Sequence, residues 1–160
     1  MVIIGLLVAV AVPAFGPMIT KRRLESVTTR IWSDIELARM WAVRSNRAVN
    51  FSMSTGTSWC FGYMDDGSAC DCAGSCDHEF QSGASGVPGL TLTTASTDSS
   101  GGQQVIPFDT MGIRNVAAAG TPTITLSLDG QTAKIAVNPI GNTRICSDDL
   151  AGYQADGACP

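Results

Sequence analysis

The sequence predicts an α+β fold: one long N-terminal helix whose outer half packs on a small antiparallel β-sheet, with loops stapled by disulfides. Three observations point there. Residues 1–47 read as a single helix of two characters, an uncharged half and an amphipathic half. Residues 124–137 alternate apolar and polar side chains on both sides of Asp129-Gly130. All six cysteines lie beyond residue 59, as expected of a head that folds in an oxidising compartment. With 160 residues in all, the chain has room for one compact domain.

Residues 1–20 carry no charge, and a helix of that length spans roughly 30 Å, about the hydrocarbon core of a bilayer. This half is expected in lipid or in a bundle of like helices, as a transmembrane or filament-core segment. A removable signal peptide would open on a basic stretch and end at a small-residue cleavage site, neither of which this run displays. Pro13 and Pro17 each remove a helical hydrogen bond and clash one turn back, so a kink is expected around residues 9–17. Residues 21–47 form the amphipathic half, where Leu24, Val27, Ile31, Ile35, Ala38 and Ala42 recur at three- and four-residue steps. That spacing makes one apolar stripe, predicted to pack on the head. Arg30 with Asp34, and Glu36 with Arg39, mark a solvated face. Trp32 and Trp41 lie beside the stripe as packing residues.

Residues 48–160 are read as a β-rich head. A first strand is expected at 48–52, a turn at 54–57 and a second strand at 58–63 bearing Trp59 and Phe61. Residues 64–88 read as irregular, holding three cysteines among Gly, Ser and Asp, a loop that needs covalent staples. Short strands follow at 89–94 and 104–108, joined by a polar link at 95–102. Ile124, Leu126 and Leu128 then alternate outward, Asp129-Gly130 supplies a type I′ turn, and Ala133, Ile135 and Val137 alternate back. Asn138-Pro139-Ile140-Gly141 fits a further turn leading to a last strand through Arg144 and Ile145.

Charge divides the same way. Residues 1–47 carry seven basic and three acidic side chains, for +4, whereas residues 48–160 carry three basic and eleven acidic ones, for −8. A head so acidic is a poor generic partner for nucleic acid, whose binding scales with the phosphates that Lys and Arg neutralise. Lys21, Arg22 and Arg23 would by themselves favour a cytoplasmic flank. The cysteines argue for the opposite side and outweigh them, since the charge rule compares both flanks of a span.

Taken in order, these features resemble the FimT/GspH group of type IV minor pilins and type II secretion pseudopilins. The run Gly5-Leu-Leu-Val-Ala-Val-Ala-Val-Pro13-Ala-Phe15 is similar to the group's hydrophobic N-terminal helix. Leu37-Ala-Arg39-Met-Trp-Ala42-Val43 followed by Val49 resembles its helix end and first strand. Phe108-Asp-Thr-Met-Gly112, the Asp129-Gly130 hairpin and Asn138-Pro-Ile-Gly141-Asn-Thr-Arg144 resemble later landmarks in the right order. Family precursors begin with a basic leader, a glycine cleavage site and a phenylalanine, with a glutamate a little further in. By register Met1 falls several residues past that point, so peptidase cleavage and glutamate-mediated docking are assigned to no residue here. The resemblance implies a pilin-like fold and a structural subunit that initiates, caps or modifies a pilus or pseudopilus. Its expected partners are other pilin or pseudopilin subunits, met through the N-terminal helix. It also implies a bacterial inner-membrane anchor with a periplasmic head before assembly, and prolines that mark an extensible region.

Cys146 and Cys159 are similar to the terminal disulfide loop of many pilins, a closure worth roughly 3 kcal/mol in the loop-entropy picture. Cys60, Cys70, Cys72 and Cys76 then allow three pairings, of which Cys70 with Cys72 is disfavoured because one residue separates them. Cys60 is left with Cys70 or Cys72. A zinc alternative would use Cys70, Cys72, Cys76 and His78, but in no common zinc spacing and in an oxidising compartment. Asp65, Asp66, Asp71, Asp77 and Glu79 do not follow a calcium-loop spacing and read as a solvated acidic loop.

No metal, cofactor or catalytic set is therefore expected. His78 is the single histidine, and no nucleophile elbow, P-loop or dinucleotide fingerprint occurs. The functional alternatives are a DNA receptor for natural transformation and, third, an anchored metal-binding domain. Some FimT proteins capture DNA through a Gly-Arg-x-Arg segment. The matching Gly141-Asn142-Thr143-Arg144 keeps one arginine, and Lys134 and Arg114 are the only other head cations, too few against eleven carboxylates. Weak or absent DNA binding is the expectation.

Overall fold

The computed structural model describes residues 2–72, 74–100, 102–114 and 120–153, with the side chains of 2–15, 83 and 84 outside that description. Helix α1 runs from Val2 to Ser45. Ala and long-chain residues dominate its second half, and the helix is continuous through Pro13 and Pro17; Pro13 is among the residues whose side chains are not described. Its end is a Schellman motif. Asn46 adopts a left-handed φ of 52°, while Arg47 N donates to Ala42 O at 3.2 Å and Asn46 N to Val43 O at 3.4 Å, which satisfies two carbonyls of the last turn. Arg44 in that turn complements the helix dipole. Among the described residues no helix is long and apolar enough to cross a membrane; most of the uncharged run at 1–20 falls on side chains that are not described.

Among the described residues nine strands follow: β1 Val49–Ser54, β2 Cys60–Tyr63, β3 His78–Gln81, β4 Thr91–Ala95, β5 Asp98–Ser100, β6 Gln103–Phe108, β7 Thr123–Leu128, β8 Gln131–Val137 and β9 Thr143–Cys146, with the one-turn helix α2 Ser82–Ser85 after β3. They make two antiparallel sheets where the sequence suggested one: β3-β2-β1-β6-β5 and β4-β7-β8-β9. Two further strands lie where irregular chain was expected. β3 falls inside the 64–88 stretch and β5 inside the polar link. Both are edge strands of mostly exposed polar residues, held by pairing with β2 and β6, so no apolar alternation announces them.

Helix α1 lies against strands of both sheets, principally β1, β7, β8 and β9. Its stripe is buried there: Leu24, Ile31, Ile35, Ala38 and Ala42 are fully covered and Val27 nearly so. They meet Val49, Phe51 and Met53 from β1, Ile124, Leu126 and Leu128 from β7, and Ala133, Ile135 and Val137 from β8 in one core. Small Ala38 and Ala42 let the helix approach closely. Trp32 and Trp41 pack half-buried at its margin. The β7–β8 turn has φ of 50° at Asp129 and 79° at Gly130, the left-handed pair that a type I′ turn requires.

Sheet β3-β2-β1-β6-β5 is covered on its second face by the loop after β2. Ser52 Oγ accepts from Cys70 N at 3.1 Å, and Asn50 Nδ2 donates to Gly67 O at 2.9 Å. Alternate residues of β1 thus face two different coverings, apolar toward the helix and polar toward the loop. Phe51, Trp59, Phe61 and Phe80 stack with centroids 5.4 to 6.1 Å apart.

Candidate functional surfaces

Cys60 is bonded to Cys72 and Cys70 to Cys76. This is one of the two arrangements that spacing left open, and it pins the loop after β2 to the sheet it covers. Gly62 has no room for a side chain, because a Cβ there would meet His78 O and Cys76 Cβ. Cys146 is also disulfide-bonded; Cys159, expected as its partner, lies outside the described residues. With Cys70, Cys72 and Cys76 in disulfides, the thiolates of the zinc alternative are not available. Among the described residues, no three His, Cys, Asp or Glu side chains stand where they could hold a metal ion.

A cleft of about 360 Å³ runs between α1 and strands β2 and β3, lined by Arg30, Asp34, Tyr63 and His78 among others. Arg30 and His78 are each held by a neighbouring carboxylate. Arg30 Nε donates to Asp34 Oδ2 at 2.8 Å while its guanidinium lies over the Phe80 ring at 5.1 Å. His78 Nε2 stands 3.0 Å from Asp65 Oδ1 and its ring stacks on Tyr63 at 4.6 Å. Burial, with Asp34 and Asp65 adding to it, raises the Tyr63 phenol above its ordinary 10.0. Asp66, beside this cluster, is held below its ordinary value by hydrogen bonds from the Ser68 hydroxyl and N–H. The arrangement offers a strap between helix and edge strand, not a nucleophile with a base.

A second polar junction lies near the end of α1. Residues 109–113 and 138–142 form two tight turns organised by Asp109 and Asn138. Asp109 Oδ1 accepts from Met111 N and Ile113 N at 2.9 and 2.8 Å, and Asn138 Oδ1 accepts from Asn142 N at 2.8 Å. Each turn places a glycine in the left-handed region, Gly112 at 72° and Gly141 at 83°, and a Cβ on Gly141 would run into Gly112 O. Arg39 clamps the two together: Nε donates to Gly112 O at 2.9 Å, Nη1 to Asn142 Oδ1 at 3.0 Å and Nη2 to Ile140 O at 3.4 Å. One guanidinium therefore ties the stem to one turn from each sheet. The sequence reading placed Arg39 only beside Glu36, 3.6 Å away here. Its true partners are 73 to 103 positions distant, beyond any local pattern; the glycines of the two turns were the sole hint. Around the clamp Met40, Met111 and Ile140 are exposed by 57, 69 and 59 %.

The three cations considered for DNA do not make one patch. Arg114 is a correction, being only 6 % exposed and donating through Nη2 to Gly120 O at 2.8 Å; burial lowers its pKa. Arg144 and Lys134 do share a face of the β8–β9 pair, where Arg144 sits opposite Ala136 and Lys134 opposite Cys146, with Arg144 exposed and Lys134 half-buried. The remaining position of the segment, Asn142, accepts from Arg39.

Comparison with known proteins adds the family. Residues 27–141 match the family model of GspH, a type II transport protein. Two crystal structures of the type IV minor pilin FimU from Pseudomonas aeruginosa (strain PAO1) are similar in fold. The form in space group P21 has 15 % identity and a TM-score of 0.57, covering 78 % of this chain and 88 % of that one. The form in P65 has 16 % identity and a TM-score of 0.53, covering 76 and 91 %. No curated protein matches the chain. The matched span reaches from Val27 in the buried stripe to Gly141 in the clamped turn and so takes in most of the stem–head unit; the chain belongs to the GspH family of type II transport proteins.

Proposed function

We propose that this protein is a minor structural subunit of a type IV pilus or a type II secretion pseudopilus, one that helps to initiate, cap or modify the filament. Its uncharged half-helix anchors it in the bacterial inner membrane with the head in the periplasm, and the same half-helix later packs among those of neighbouring subunits. One observation carries this reading. α1 is a single helix from Val2 to Ser45; among its described side chains the apolar stripe buried by the head runs from Leu24 to Ala42, while residues 16–19, the last of the uncharged run before Thr20, are exposed. The exposed apolar side chains around Arg39 give the opposite end of the head a second contact surface.

The test is co-assembly. A C-terminally tagged full-length chain, produced with the other subunits of its source organism's filament system, is expected in the sheared filament fraction far below the major subunit, and its deletion is expected to lower filament number. A chain that stays wholly in the membrane fraction while filaments form normally without it would sink the proposal.

A further inference from the structure

The base of the head and the first charges of the stem meet at one level. Thr20 Oγ1 lies 3.4 Å from Asp129 Oδ2 at the tip of the β7–β8 hairpin. Before Thr20 no residue is charged; directly after it come Lys21, Arg22 and Arg23, all exposed. Successive helical side chains point about 100° apart, so these three fan around the stem as a collar. Arg22 reaches Glu25 at 3.1 Å with its side chain still 71 % exposed, and among the described residues no ion pair engages Lys21 or Arg23. Beside the collar a groove of about 340 Å³ is lined by Met18, Ile19, Arg22, Arg23 and Ser26, with Met18 and Ile19 half exposed. It has an apolar floor and a guanidinium rim.

We propose that this neck binds anionic phospholipid and seats the base of the head on the membrane surface before assembly. The inference rests on the anchored reading above. Acyl carbons suit Met18 and Ile19, and guanidinium groups suit phosphate oxygens, which they bind in a fork. Each basic residue near an anionic leaflet contributes about fivefold in affinity. The collar also offsets the repulsion that a −8 head meets at such a surface, and does so only at its base, which orients the acidic loop away. An acidic protein partner, such as the 65–79 loop of a second copy, fits less well. That loop contacts the stem at Trp41, where Trp41 Nε1 donates to Asp65 O, some 30 Å along the helix from the collar at about 1.5 Å per residue.

The experiment uses the full-length chain in vesicles of phosphatidylcholine alone and of equal parts phosphatidylcholine and phosphatidylglycerol. Alkali-resistant flotation is expected with both. Extraction of the mixed vesicles in mild detergent should yield protein carrying phosphatidylglycerol over phosphatidylcholine by about tenfold or more. K21Q/R22Q/R23Q should still float and keep its circular dichroism while the co-purified lipids fall to parity. Flotation with equal amounts of the two lipids on the native chain, or an undiminished preference in the triple variant, overturns this inference alone. Loss of flotation from both vesicle types overturns the anchored reading and this one with it. Lipid-independent intermolecular coupling of Lys21 to residues 65–79 by a carbodiimide would assign the collar to a second copy and also overturn it.

Discussion

The two sheets of the head are stabilised by different means. Sheet β4-β7-β8-β9 is built around a two-residue hairpin, with apolar side chains at every second position of β7 and β8 facing the stem. Local turn geometry and alternation specify it. Sheet β3-β2-β1-β6-β5 brings together strands from residues 49 to 108, ends in two short polar edges, and has a loop over its second face held by two disulfides. Where contacts are non-local and the pattern is weak, covalent closure replaces them. The helix lies against both sheets, and Arg39 bonds a turn from each.

Three substitutions break or sharpen that contrast. The largest effect is expected from Ile35→Asp, which puts an unpaired carboxylate at a fully buried stem position and should cost about 4 kcal/mol or more. Both sheets should lose amide-exchange protection together; protection persisting in one of them would mean that the stem is not their common core. Next, Cys60→Ser with Cys72→Ser opens a closure of 12 residues, worth about 3 kcal/mol. Here exchange should rise in β2 and β3 while β7 and β8 keep theirs, and equal loosening of β7 and β8 would count against a division of labour. The smallest effect is expected from Arg39→Leu, about 1–2 kcal/mol for hydrogen bonds to a charged donor at a partly exposed site. Exchange should rise in residues 109–113 and 138–142 alike; a change confined to one turn would show that the guanidinium does not couple them.

The same contrast accounts for what could be read from the amino-acid sequence. The stem stripe at Leu24, Val27, Ile31, Ile35, Ala38 and Ala42 and the hairpin around Asp129-Gly130 were legible because helix and strand periods are local properties. β3 and β5 were not, since His78-Glu79-Phe80-Gln81 and Asp98-Ser99-Ser100 become strands through their neighbours and carry no pattern of their own. The Arg39 clamp was hidden for the same reason, its acceptors being carbonyls and an amide from remote turns. Arg114 misled in the other direction: a cation in sequence suggests a surface, and this one turned inward.

The order of the cysteines along the chain has a consequence for biogenesis. A polypeptide oxidised strictly as its thiols emerge would join Cys60 to Cys70, the first two to appear, and leave Cys72 to Cys76. The native links are Cys60–Cys72 and Cys70–Cys76, so first-come oxidation yields an isomer that must be rearranged. Correct maturation of this head therefore requires either that the first oxidation wait until Cys72 has arrived or that thiol–disulfide exchange, by the chain's own thiolates or by an added thiol, convert the early isomer to the native one.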